Sequence, residues 1–431
     1  LNGMRSGKAK RLGDPLQEME FAIHRLLINV LLLIDIVYSS RIYRTVGDFM
    51  QPALLGSAAL IILIYTFYTL IRASLFPVLF GAIFMALIIY QITVFSDRAM
   101  IPFQFNVFFQ FMWVLALIPF YAWTISGHRT YLLDRVVFFS TSYCGLYIIL
   151  SLGQMSGTLP YGILSAITSD FDDRGTRVFL YLSTASIAYF YWLAQFKKRR
   201  RLKNLFFLTA CTMAISLSLS RVFMLIIFCL SILYFINVRA WVVSHFSRGI
   251  FVVVTAYIFS GLLWSSFNPF GVFATDASGS YRAYEYVVVR REIFNEPLSG
   301  FGVPPDTKFA KPFLGEQDIF PSDLGALGAW FDLGLFGLIL FIYCIWRCSE
   351  PIHLLEEKYG WPLLLSGSMM TAYGGISPLA MSAPGGATLT ALIFGVGMGS
   401  RIIALRKRKP SGNKLAGEVL SRGELPHEFP K

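Results

Sequence analysis

The hydrophobic positions of this chain come in long unbroken blocks. Apolar runs of about 20 residues recur from end to end, the length a helix needs to cross a hydrocarbon layer of ~30 Å. In lipid every backbone N–H and C=O must be paired within its own segment, so such runs form helices. The alternating pattern of a membrane barrel is absent. The blocks predict an all-α polytopic membrane protein with about twelve spans. They fall at 26–40, 53–71, 75–95, 101–125, 136–152, 178–196, 204–219, 222–237, 250–267, 327–346, 361–379 and 388–405. The breaks between blocks are mostly short, with two exceptions. Residues 153–176 form one long polar loop, and 268–326 form a larger one between the ninth and tenth spans.

Charge orients the array. Clusters of Lys and Arg mark cytoplasmic ends, and the strongest are Lys197–Lys203 (KKRRRLK) and Arg406–Lys409 (RKRK). With about twelve spans both fall on one side, so both termini are expected in the cytoplasm and the two long loops outside. The chain then divides into a polar tail (1–21), a single transmembrane domain (22–405) and a basic tail (406–431) that is expected to be disordered. Arg5, Lys8, Lys10 and Arg11 precede the first apolar run without a small-residue cleavage site, so the first helix is expected to act as an uncleaved anchor.

Composition agrees. The 431 residues are 55% hydrophobic and 14% charged, against roughly a quarter charged in soluble domains. The net charge of +12 would also suit a nucleic-acid binder, but the cations sit in short runs beside helix ends, as a membrane protein places them. No nucleic-acid partner is expected. The five cysteines show no disulfide framework or zinc spacing.

The candidate chemistry lies outside the membrane. Arg174, Arg177, Arg221, Arg282, Arg290 and Arg291 all map to the side where positive charge is disfavoured. Arginine stays protonated and presents a planar fork of donors that suits phosphate. Arg177 and Arg221 fall at helix ends, at the depth where a lipid-linked pyrophosphate would present its anion. Each of these arginines could instead reach lipid phosphates as an ordinary interface residue. All five histidines map to the cytoplasmic side, so an external general base would be a carboxylate. Asp323, just before the tenth span, is the leading candidate, and a helix cap is its bland alternative. Asp170-Phe-Asp172 spells a triplet that holds metal in some glycosyltransferases, but a solvated acidic loop explains it better and no metal is expected. Asp35 lies inside the first span with no evident partner. Asp332 lies early in the tenth, close enough to the interface to be solvated. Gly325, Gly328, Gly334 and Gly337 are read as helix-packing residues.

In their order and sidedness these pieces resemble the O-antigen polymerase and ligase (Wzy-type) superfamily. The matching residues are Arg174-Gly-Thr-Arg177 opening a helix and Ser220-Arg221 at a turn between helices. Arg291 is followed after ten residues by Gly302, and Asn295-Glu-Pro-Leu-Ser-Gly-Phe-Gly302 forms the glycine turn. Asp332-Leu-Gly-Leu-Phe-Gly337 matches the helix that follows. The ligases carry a histidine before that helix, where this chain reads Phe320-Pro-Ser-Asp323, so the resemblance favours a polymerase of the exopolysaccharide (xanthan) type.

The resemblance implies a glycosyltransferase of the bacterial inner membrane, acting at the periplasmic face. It would polymerise oligosaccharide repeat units carried on undecaprenyl pyrophosphate. Asp323, Arg291 and Arg221 would be catalytic, the arginines at the pyrophosphate and Asp323 at the acceptor, and Arg174, Arg177, Arg282, Arg290 and Gly302 would bind the substrate. Membrane lipids, a flippase and chain-length or export proteins would be its partners. The energy resides in the donor bond, so no cofactor is implied, in keeping with the lack of a Walker A motif. A ligase would need an external histidine. A flippase would need charge lining a mid-membrane cavity, where Asp35 stands nearly alone.

Overall fold

A computed structural model describes residues 15–47, 49–72, 74–169, 177–178, 183–218, 220–262, 277–315, 319–321, 324–350, 358–377, 381 and 385–408. In chain order the first helices are α1 (Pro15–Ser39), α2 (Met50–Ile71), α3 (Leu75–Ala99), α4 (Leu117–Ile125) and α5 (Arg129–Met155). Then come α6 (Tyr161–Ile167), α7 (Ala185–Lys198), α8 (Leu202–Leu217), α9 (Arg221–Phe235) and α10 (Ala240–Phe259). The last are α11 (Ala277–Asn295), α12 (Thr307–Leu314), α13 (Ala326–Cys348), α14 (Gly360–Gly374) and α15 (Gly386–Arg408). A two-residue ladder, β1 (Thr168–Ser169) against β2 (Arg177–Val178), is antiparallel.

Among the described residues seven helices, α1, α2, α3, α5, α10, α13 and α15, are long and apolar enough to cross a membrane. Segment 112–125, α8 and α9 are shorter apolar pieces. Leu63, Phe67, Leu79, Leu225, Phe228 and Val253 are exposed on the outside of the bundle. Apolar exposure on that scale fits a hydrocarbon surround rather than water. The chain is thus a polytopic helical membrane protein.

Several boundaries differ from the pattern for identifiable reasons. The first helix starts at Pro15, well before residue 26. The block at 101–125 is not one helix. It holds Pro102, Gln104, Asn106 and Gln110, and it runs through 3-10 turns at Phe105–Gln110 and Met112–Ala116 before α4. Irregular backbone at membrane depth needs a protein cover, and residues 111–124 are all buried. The cover is α15, whose Gly395 lies against the Leu117 carbonyl and whose Gly399 lies against Thr124. The sixth span starts at Ala185, because Arg177 and Val178 extend into the β-ladder. Arg177 therefore lies in a strand where it was expected to open a helix, and residues 174–176 lie outside the described residues. The ninth span starts at Ala240 and takes in Arg248, expected in a loop. That arginine is tolerated because its Nε donates to Ser349 Oγ at 3.0 Å and its Nη2 to the Trp346 carbonyl at 3.1 Å.

The two ends of the bundle differ in chemistry. At one end, Lys197 closes α7 by donating to the Tyr234 carbonyl at 2.5 Å and to Asn237 Oδ1 at 2.8 Å. There too Glu350 accepts from both Arg347 and Arg401, tying α13 to α15. Lys358 bridges to Asp134 at 2.9 Å, tying the start of α14 to that of α5. Burial pulls the Lys358 pKa down, but Asp134 and Tyr191 outweigh it and the net shift is upward. His128 packs on Phe21 and His24, and burial lowers its pKa. This is the end that carries the basic clusters.

Asp35 has a partner that no local pattern could reveal. Thr388 Oγ1 donates to Asp35 Oδ1 at 2.6 Å across a separation of 353 positions, and the Gly385 N–H donates to Ser39 Oγ at 3.2 Å. Two bonds thus pin the entry of α15 to the last turns of α1. Thr388→Val keeps the shape and removes the donor, leaving a buried carboxylate without its partner. The expected cost is about 1–3 kcal/mol, read as a lower unfolding midpoint in detergent. An unchanged midpoint would show that the bond contributes nothing.

Candidate functional site

At the opposite end the ninth-to-tenth connection is not a structureless loop. It contains α11 and α12, and α11 is fastened on three sides. The Tyr286 hydroxyl donates to the Phe259 carbonyl at the end of α10 (3.2 Å), and the Tyr284 hydroxyl to the Leu314 carbonyl at the end of α12 (3.3 Å). Buried Glu285 accepts from the Phe320 N–H at 2.7 Å, tying α11 to the residues that precede α13. Tyr286, Val289 and Ile293 form the buried stripe of α11 at helical spacing.

After α11 the glycine turn inserts between α3 and α13. Gly334, inside α13, has φ 67° and ψ −175°, so the helix is broken there. An unbroken helix would pair the Leu335 N–H with the Phe331 carbonyl. Here the Leu335 N–H donates to the Leu298 carbonyl (3.2 Å), and the Phe331 carbonyl accepts from the Phe301 N–H (2.7 Å). The turn repairs the gap it occupies. Gln91 Nε2 on α3 donates to the Leu333 carbonyl at 2.9 Å, and the Gln91 carbonyl accepts from the Val303 N–H at 3.2 Å. Gly334 is therefore a helix breaker, where simple helix packing was expected. Gly302, at φ 88°, lets the turn lie on α3.

Phe301 is the plug of this junction. It is 1% exposed, stacks on Phe331 at 4.7 Å and 13°, and carries the Arg98 guanidinium 4.7 Å from its ring centre. Arg98 Nη2 lies 2.6 Å from Glu296 and Nη1 3.9 Å from Glu292. Sequence reasoning passed over Arg98 although it carried the signal used for the others, a cation away from the basic end.

The structure brings some of the expected residues together. Arg290 and Arg291 stand side by side on the exposed face of α11. The Arg290 guanidinium lies 5.9 Å from the Tyr286 ring and 5.4 Å from Phe294. Arg291 Nε donates to Glu292 at 2.9 Å and the side chain is 59% exposed. Val287 and Phe294 are also exposed on this face, and Leu298 is exposed in the turn that follows, so the two cations sit beside apolar side chains. Arg282 belongs to the first turns of α11, and Arg177 pairs with Ser169 in the β-ladder. Arg174 and Asp323 lie outside the described residues, as do Asp170 and Asp172. The residue at the N-cap position of α13 is Gly325.

Arg221 heads α9, where a cation opposes the helix dipole. It is exposed and makes no hydrogen bond or ion pair among the described residues. It is not beside the α11 arginines, because α9 packs on α7 and α14 while α11 packs on α13. The link is α14. Phe223 meets Tyr373 edge-on at 5.8 Å, and the next-but-one residue, Gly375, presses its carbonyl against Gly325 at the entry of α13. Arg221 and the glycine turn thus share one end of the bundle, on either side of α13 and α14. Among the described residues no group of His, Cys, Asp and Glu is arranged to hold a metal ion. No family model matches this chain, and neither the curated proteins nor the solved structures contain a match to it.

Proposed function

We propose that the chain polymerises oligosaccharide repeat units carried on undecaprenyl pyrophosphate, as a Wzy-type glycosyltransferase of the bacterial inner membrane working at its periplasmic face. The growing chain is the donor and its lipid pyrophosphate the leaving group. The acceptor is a sugar hydroxyl of the incoming lipid-linked unit.

The observation that carries this reading is the face of α11. Arg290 and Arg291 project there beside exposed Val287 and Phe294, with exposed Leu298 in the turn that follows, at the end of the bundle away from the paired basic cluster. Cations set beside apolar side chains suit an amphiphile whose anionic head adjoins a hydrocarbon tail, and a polyprenyl pyrophosphate is such a molecule. Arg221 adds, at the same end, an exposed guanidinium without a partner among the described residues. The α11 arginines would stabilise the charge that grows on the donor diphosphate as the glycosidic bond breaks, and Arg221, across α13 and α14, would meet the diphosphate of the other lipid-linked unit. Arg174, Arg177 and Arg282 would extend the cationic lining.

The test is incubation of purified protein with a synthetic lipid-pyrophosphate repeat unit, followed by product sizing. Native protein is expected to give a ladder of lengths. Arg221→Ala and Arg291→Ala are each expected to abolish long products while single units remain on lipid. Undiminished ladders from both variants would remove the arginines from the mechanism. Relocation of the unit across vesicles without growth would identify a flippase instead.

A further inference from the structure

Asp332 is the one acidic side chain of α13, six residues inside its outer end, or about 9 Å along the axis. It was expected to be solvated at the interface. It is half-buried, between buried Phe331 and Leu333, and two residues before the break at Gly334. Among the described residues it makes no hydrogen bond and no ion pair. The contrast with Asp35 is direct, because that carboxylate has Thr388.

A carboxylate at membrane depth is expensive unless something answers it. Among the described residues no side chain answers this one, although the neighbouring backbone is satisfied with care. Gln91 takes the Leu333 carbonyl, Phe301 the Phe331 carbonyl, and Leu298 the Leu335 N–H. One turn beyond Asp332 begins the exposed stripe of Phe336, Ile339 and Tyr343, which faces lipid. On the other side, one and two turns earlier, Gly328 and Gly325 press against the Pro321 and Gly375 carbonyls and close the helix entry. The free carboxylate thus stands between the lipid-facing stripe and the end of the bundle that carries the arginines.

We infer that Asp332, rather than Asp323, accepts the proton of the acceptor hydroxyl in glycosyl transfer. The inference rests on the polymerase reading. In the step, the acceptor oxygen forms a bond to the donor anomeric carbon while that carbon's bond to the pyrophosphate oxygen breaks. The pair of electrons leaves with the lipid diphosphate, which the α11 arginines receive, and the acceptor proton passes to the Asp332 carboxylate.

A functional carboxylate held without partners makes an unusual joint prediction. Asp332→Asn should slow ladder formation by ~100-fold or more, leave affinity for the lipid-pyrophosphate unit within about threefold, and raise or preserve the thermal midpoint. Asp332→Glu should recover part of the rate and shift its pH profile. A ladder at native rate from Asp332→Asn, or a midpoint that falls, would overturn the assignment, the second by making the group structural. If native protein forms no ladder, the polymerase reading fails, and the role of Asp332 fails with it. If native protein polymerises and Asp332→Asn does too, only the assignment of Asp332 fails.

Discussion

Gly302→Ala is expected to cost about 3 kcal/mol or more and to strip the protein of activity. Two terms add. The residue adopts φ 88°, where a side chain strains the backbone by about 1–3 kcal/mol. A Cβ there would also lie 2.7 Å from the Phe95 nitrogen and 2.8 Å from the Gln91 carbonyl oxygen. Those are backbone atoms of α3 and cannot swing aside. The turn would lift, and the Val303 to Gln91 bond would go with it. Since the same turn supplies the groups that repair α13 at Gly334, its displacement exposes the break in that helix. A control isolates the cause. Gly397 in α15 has open space around it, so Gly397→Ala should be neutral or stabilise by up to about 1 kcal/mol. Thermal unfolding of the two variants side by side in one detergent is the measurement. Equal midpoints would mean that the turn does not bear on α3.

The Gly302 argument also shows which parts of the fold sequence pattern can and cannot carry. Hydrophobic blocks identify membrane helices because lipid makes length and apolarity nearly sufficient conditions. The pattern failed where tertiary cover changes the rule. Segment 101–125 is apolar enough to read as one helix, yet it is irregular because α15 shields it. Val178 reads as the start of a span, but pairing with Thr168 claims it for a strand. Gly334 reads as a packing residue, and only the Leu298–Phe301 turn, more than thirty positions upstream, makes its break affordable. For the candidate site, the exposed arginines of α11 and the head of α9 were legible from charge on the unfavoured side. Their separation across α13 and α14 was not, because it depends on which helices become neighbours. Asp332 was visible as a residue, but its half-buried place without a partner among the described residues was not, since one-dimensional depth says nothing about what surrounds a side chain.

Arg98 separates arginines that hold the structure from those that would serve a ligand. Its guanidinium is 18% exposed and meets Glu296, Glu292 and the face of Phe301 together. Arg98→Ala would strip one face of the Phe301 plug and release Glu296. Glu296 is itself half-exposed, and Glu292 keeps Arg291, so solvent and that neighbour absorb part of the loss. A cost of about 1–3 kcal/mol is expected, below that of breaking a fully buried pair. Arg98→Lys should fall between, because an ammonium keeps the charge but loses the planar stack on the ring. Arg291, more than half exposed, should behave oppositely. Its alanine variant should stay within about 0.5 kcal/mol of native stability while losing long polymer. The pair of variants, read by unfolding midpoint and by product length, forms a crossed design. If Arg291→Ala destabilises as much as Arg98→Ala, the α11 face is scaffold and the ligand reading of its cations is wrong. If Arg98→Ala is silent in both, the ion pairs do not hold α11 on α3, and the Phe301 stack alone maintains the junction.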